Sequence, residues 1–172
     1  MVVSVRDALE YLKKDVSENE LNRKISAIES LIRDETNNNF QMRRMRFYAP
    51  SKPEGIIGSS PFLEPGDTVE INESINEGIY AVVKIENGII GLDRKLYAAD
   101  CNMVTKVVYP EAVKEGVLNM LQWELNMRSK TGIKSETLSR HSVTYFDMDA
   151  ANSVDGYPAS LLGFLEPYYK AR

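Results

Sequence analysis

The chain holds one cysteine, Cys101, and one histidine, His141, among its 172 residues. A single thiol excludes an internal disulfide and fits a reducing, intracellular history. A single imidazole excludes a multi-histidine metal site within one chain. No stretch approaches the roughly 18–20 apolar residues of a membrane span. The N-terminal valine run is too short for the apolar region of a signal peptide. The expectation is a soluble protein made in the cytoplasm. Positive charge is also short: 21 Lys and Arg against 25 Asp and Glu give a net charge of −4. Proteins that bind DNA grooves neutralise phosphates with a basic surplus, so that class is disfavoured. A protein that lets DNA slide past is not.

Catalytic motifs are equally scarce. No GxSxG elbow surrounds a serine, and no GxxxxGK[ST] or GxGxxG cradle is present. His141 adjoins Ser142 and lies near Asp147, but neighbours on a strand point to opposite faces. A solvent-facing strand or linker is expected there. Cys101 has no CxxC partner and reads as a buried small hydrophobe. Glu64, Asp67, Glu70, Glu73, Glu77, Glu86, Asp93 and Asp100 read as a solvated acidic face. A divalent-ion site or a small hydrolase on that face is a remoter alternative. Neither catalysis nor a cofactor is expected.

What is present is helical and strand periodicity. Apolar content of 43% and charged content of 27% suit a folded domain. Ser4 caps a first helix carrying Val5, Ala8, Leu9, Leu12 and Val16. Ser17 and Glu20 open a second as a capping box, with Leu21, Ile25, Ile28 and Ile32 on one face. Asn37–Asn39 stop it, because Asn tolerates the left-handed conformation of a C-terminal cap. Pro110 starts a third, to about Arg128. Val113, Val117, Leu118, Met120, Leu121, Trp123, Leu125 and Met127 cover most of its circumference, which predicts a central helix with some apolar surface left for a neighbour.

Between them the period changes to two. The Pro- and Gly-rich stretch 50–66 reads as loop. Four strands follow, at 67–72, 79–86, 89–93 and 103–109, with Asn87-Gly88 as a type I′ hairpin turn. Met42, Met45 and Phe47 interleave Arg43, Arg44 and Arg46, which favours a further strand with a basic outer face; the arginines are candidates to touch phosphates or a partner's acidic surface. The fold class is α+β. A three-helix domain (1–42 and 109–131) carries an inserted small antiparallel β-sheet or barrel module (43–108) and an extended C-terminal arm (132–172).

That arm opens polar, includes a short strand within 141–147, and ends in Tyr157, Pro158, Leu161, Leu162, Phe164, Leu165, Pro167, Tyr168 and Tyr169. Leu161–Leu165 suits one or two helical turns. A polar spacer is long enough to carry an apolar tip beyond its own domain. The competing reading is a tip folded back on its parent core.

Two stretches, DALEYLKKDVSENELNRKISAIESLIRDETNNNF and GIKSETLSRHSVTYFDMD…GYPASLLGFLEPYYKAR, resemble the head–tail connector (head-completion, adaptor) proteins of long-tailed bacteriophages and prophages. Compact members pass almost directly from the second helix to the third, whereas about seventy residues intervene here. The phrase GDTVEI…NEGIYAVVKIENG is similar to modules of other phage structural proteins. The resemblance implies a virion subunit at the head–tail interface: a homo-oligomeric ring of about twelve copies beneath the portal protein. Such a ring continues the DNA channel, touches dsDNA passively, and receives the next neck, stopper or tail-completion protein. It also implies that Tyr157 to Tyr169 engage the portal. No membrane contact is implied. A β module that binds a peptide or nucleic acid is the alternative.

Overall fold

The computed structural model describes residues 1–127, 135–138, 141–144 and 153–171, with 135–138 and 141–144 described by backbone alone. The chain is mixed α+β and divides into two compact units. Asn38–Tyr109 and Met1–Val2 form the sheet unit; Val3–Asn37 and Pro110–Arg172 form the helical unit.

In the helical unit, α1 spans Val5–Leu12, α2 Glu18–Thr36 and α3 Glu111–Asn126. Capping sets their ends. The Asp7 amide donates to Ser4 Oγ at 3.1 Å and the Glu20 amide to Ser17 Oγ at 3.3 Å, each satisfying a donor the helix cannot. Asn37 closes α2 with a φ of 48°. Lys13 closes α1 the same way, with a φ of 50°, so the first helix stops short of Val16. Pro110 sits just before α3 rather than inside it. Leu21, Ile25, Ile28 and Ile32 of α2 are buried, as are Val113, Val117, Met120 and Leu121 of α3. The two helices pack on one another, and Lys24 Nζ meets Glu124 Oε1 at 3.1 Å. Leu118, Trp123 and Leu125 stay half-buried and Met127 is exposed, so α3 buries one broad face rather than its whole circumference.

Farther along, β7 (Ser135–Leu138) pairs with β8 (His141–Thr144). Tyr145–Asp147 of the expected strand lie outside the described residues, as do the side chains of His141 and Ser142.

The sheet unit is a six-stranded antiparallel sheet: β1 Gln41–Lys52, β2 Gly55–Ile57, β3 Thr68–Asn72, β4 Gly78–Glu86, β5 Ile89–Leu92 and β6 Ala99–Val107. Its pairing order is β1-β2-β5-β4-β3-β6, and β6 also pairs with β1, so the order returns to its start. Ala49, Ile56, Val69, Ile71, Val82, Ile90 and Val104 fill the interior. Asn87 and Gly88 have φ of 51° and 72°, as the type I′ turn between β4 and β5 requires.

Residues 50–57, expected as loop, belong instead to β1, a tight turn and β2. Two features permit it. Pro50 lies at a register shift between Ala49 and Ser51, where a missing ladder donor is tolerated. Gly55 runs so close to the Ile90 carbonyl that a Cβ would overlap it, at a φ of 147°.

One end of the sheet is closed by a buried polar network. Asn76 is 2% exposed and Asn102 fully buried. Asn76 Nδ2 donates to Ser51 Oγ at 3.0 Å and to the Tyr97 carbonyl at 2.9 Å, and its Oδ1 accepts from the Tyr97 amide at 2.7 Å. Asn102 Nδ2 donates to the Ala49 carbonyl at 2.9 Å. These bonds tie the 73–77 and 93–98 loops to β1 and β6. Asn76→Ala should lower the stability of the sheet unit by about 1–3 kcal/mol, because it strands buried partners. Urea unfolding followed by amide exchange within 68–107 checks this.

Candidate docking site

The apolar C-terminal tip folds back on the helical unit, against the expectation that it reaches beyond its own domain. The cause is local. Asp155 and Gly156, with φ of 47° and 80°, turn β9 (Ser153–Val154) into β10 (Tyr157–Pro158). An Asp-Gly pair is a strong hairpin signal, one that the reading of the arm as an extended spacer passed over. Two 3₁₀ segments follow, Ala159–Leu161 and Gly163–Tyr168, the second packing on α2 and α3.

The tip residues then divide. Tyr157, Pro158 and Leu162 are buried, and Leu165 has no exposed surface. Leu161, Phe164 and Tyr168 are half-buried, while Pro167 and Tyr169 are exposed. The Tyr157 ring lies 5.4 Å from Trp123 between centroids. Gly116 leaves room for Phe164, since a Cβ there would overlap the ring. Past the tip, the Lys170 amide donates to the Thr36 carbonyl at 2.9 Å and Asn37 Nδ2 to the Ala171 carbonyl at 3.1 Å. The anchored part is thus Tyr157, Pro158, Leu162 and Leu165; Pro167 and Tyr169 are presented to solvent, with Leu161, Phe164 and Tyr168 half-buried between.

The candidate arginines belong to the other unit. Between Gln41, which faces Val107, and Arg46, which faces Thr105, β1 carries extra residues over β6. A bulge re-aims side chains and interrupts pairing. Arg43 and Arg44 are exposed on it, and Met42 is exposed with them rather than turned inward. Arg46 is half-buried and committed: its Nε donates to Thr105 Oγ1 at 2.9 Å. Phe47 does turn inward, 5.9 Å from Phe62. Arg43 and Arg44 therefore remain available to a partner and Arg46 does not.

Two further expectations change. Cys101 is exposed, not buried, because the buried Asn102 fixes the alternation of β6. Glu70 is 4% exposed rather than solvated. It accepts from Asn39 Nδ2 and Gln41 Nε2, each at 2.8 Å, and from Asn72 Nδ2 at 3.0 Å. Asp67 is half-buried beside Lys106 Nζ at 2.7 Å, while the other acidic candidates are exposed. Among the described residues no group of three or more His, Cys, Asp or Glu is placed to hold a metal ion, and no helix is long and apolar enough to cross a membrane.

Beside the tip runs a groove of about 690 Å³, lined by one stripe of α3 with Leu161 and Phe164 opposite. Asn119, Gln122, Trp123 and Asn126 lie on that stripe. Apolar spacing drew Trp123 into the core face and passed over the carboxamides; their own spacing of three and four was the available signal.

No protein-family model matches the chain, and no curated protein matches it at a significant level.

Leu165→Ala should cost the helical unit about 2–5 kcal/mol and raise chymotryptic cleavage near Tyr168 and Tyr169. Pro167→Ala, at an exposed position, should change neither.

Proposed function

We propose that the chain is a non-catalytic structural subunit of a phage neck. It forms a ring that docks beneath the portal protein, continues the DNA channel and presents a surface to a tail or stopper component. On this reading the helices are a three-helix body that packs side by side in the ring. The closed sheet is an inserted barrel module, and the protein resides at the head–tail interface of the virion.

The observation that carries the proposal is the division of the C-terminal tip. Leu162 and Leu165 are buried, yet Pro167 and Tyr169 stand exposed beyond them. A rigid aromatic end held by its own anchor loses little conformational freedom when it docks. Aromatic residues of this kind dominate the energetics of interfaces. The likeness of both chain ends to connector proteins supports the same reading. The portal contact then belongs to Pro167, Tyr168 and Tyr169, with Leu161 and Phe164 at its margin, whereas Tyr157, Pro158, Leu162 and Leu165 hold the end in place. A net charge of −4 gives passing DNA a repulsive wall. Arg43 and Arg44 suit an acidic neighbour better than a tight phosphate grip.

Replacing Pro167, Tyr168 and Tyr169 with serine should weaken binding to the isolated portal at least tenfold, with Tm within a few degrees of the parent. Unchanged portal affinity in a folded triple variant would remove the tip from the interface and the proposal with it.

A further inference from the structure

We propose that Asn87 is a site of spontaneous covalent modification. Loss of its side-chain amide leaves either aspartate, which the fold accepts, or isoaspartate, which unfastens the sheet beside it. This inference stands apart from the neck reading, since it rests only on the turn between β4 and β5.

The reaction needs an asparagine side chain and the backbone nitrogen of the next residue. The Gly88 nitrogen attacks Asn87 Cγ, ammonia leaves, and a succinimide ring closes between side chain and main chain. Such ring closures gain their speed from proximity. Water then opens the ring at one of its two carbonyls. One opening restores the main chain as aspartate. The other routes the main chain through Cβ as isoaspartate. Water is the only co-reactant. A side chain on the following residue hinders the attack, and Asn87 is the chain's only asparagine followed by glycine.

The fold leaves the reacting groups free. Asn87 and Gly88 are exposed at the tip of the hairpin. Among the described residues no hydrogen bond engages the Asn87 carboxamide or the Gly88 amide. Nothing lies within 4 Å of where a Gly88 Cβ would stand, so the ring has room. Only the pairing of Glu86 with Ile89 has to relax for the nitrogen to swing toward Cγ. Asn76 and Asn102 show the contrast, being buried with their carboxamides bonded at both ends.

The two products differ in what they do to the turn. Asp-Gly suits a type I′ turn as Asn-Gly does. Aspartate at 87 therefore keeps the positive φ at both positions and changes only the charge. Isoaspartate adds a carbon to the main chain, and a two-residue turn has no place for it. The effect reaches past the turn. The Gly88 carbonyl accepts from the Gly58 amide at 2.8 Å, just beyond β2, and Ile89 pairs with Ile57. Since β2 is three residues long, one lost bond is a large part of its hold.

The test ages the whole chain in mildly alkaline buffer and maps it by peptide mass spectrometry. An isoaspartyl methyltransferase marks the isoaspartyl form. Asp155-Gly156 can close the same ring, but it loses and regains water without a change of mass, so the map separates the two sites. Ammonia loss at Asn87 should lead that at every other asparagine by about tenfold. In ¹⁵N spectra the isoaspartyl fraction should exchange its Gly58 amide about tenfold faster than the unaged chain. Asn87→Asp, made directly, should match the unaged chain, as should aged Asn87→Gly, which suits the turn and has no amide to lose. Another asparagine reacting first would overturn the proposal. So would unchanged Gly58 exchange in the isoaspartyl fraction, or fast Gly58 exchange in either variant.

Discussion

A module inserted between two packed helices must begin and end at nearly the same place. The sheet unit meets that demand at Phe40 and Tyr109. Their rings lie 4.9 Å apart between centroids, and the Val108 amide donates to the Phe40 carbonyl at 3.0 Å. Phe40 accepts a φ of 54° to do so, an unusual conformation for a bulky residue. With its ends fastened together the insertion asks nothing of the helices on either side. The Lys24–Glu124 contact and the buried faces of α2 and α3 form within their own unit. The sheet closes on its own core, and its buried Glu70, Asn76 and Asn102 find partners within the unit.

The same economy holds at the C-terminus. A tip of aromatic and aliphatic residues left in water would be an exposed apolar patch. Burying Tyr157, Leu162 and Leu165 against the helical unit removes most of it and stiffens what is left. The remainder is a small, oriented surface rather than a loose tether. That changes how an arm would act: recognition by a presented edge, without the entropy of ordering a long chain.

The starts of the first two helices and the end of the second were legible because caps are local chemistry, whereas nothing local signalled the left-handed Lys13 that ends the first helix before Val16. Ser4, Ser17 and Asn37 each act through bonds within a few residues. So was the Asn87-Gly88 turn, where both positions need positive φ. What was not legible depends on distant partners. The strand at 50–57 relies on Gly55 meeting Ile90 and on a register shift at Pro50, neither visible in a window of local pattern. Glu70 looks like any solvent-facing strand carboxylate until Asn39, Gln41 and Asn72 converge on it. The choice between a tip that reaches out, which the polar spacer favours, and one that folds back is not local either. Trp123 and Gly116, which decide it, lie some forty residues away. The candidate site was therefore half readable: the sequence named its residues, and packing separated those that anchor from those that face outward.

Electron cryomicroscopy of this chain mixed with its portal tests the central claim most directly. The account predicts a closed ring of copies seated on the portal, with density for Tyr168 and Tyr169 at the contact and Leu165 still against α2 and α3. A chain that stays monomeric beside free portal rings, or a ring that meets the portal through the sheet unit alone, would contradict it.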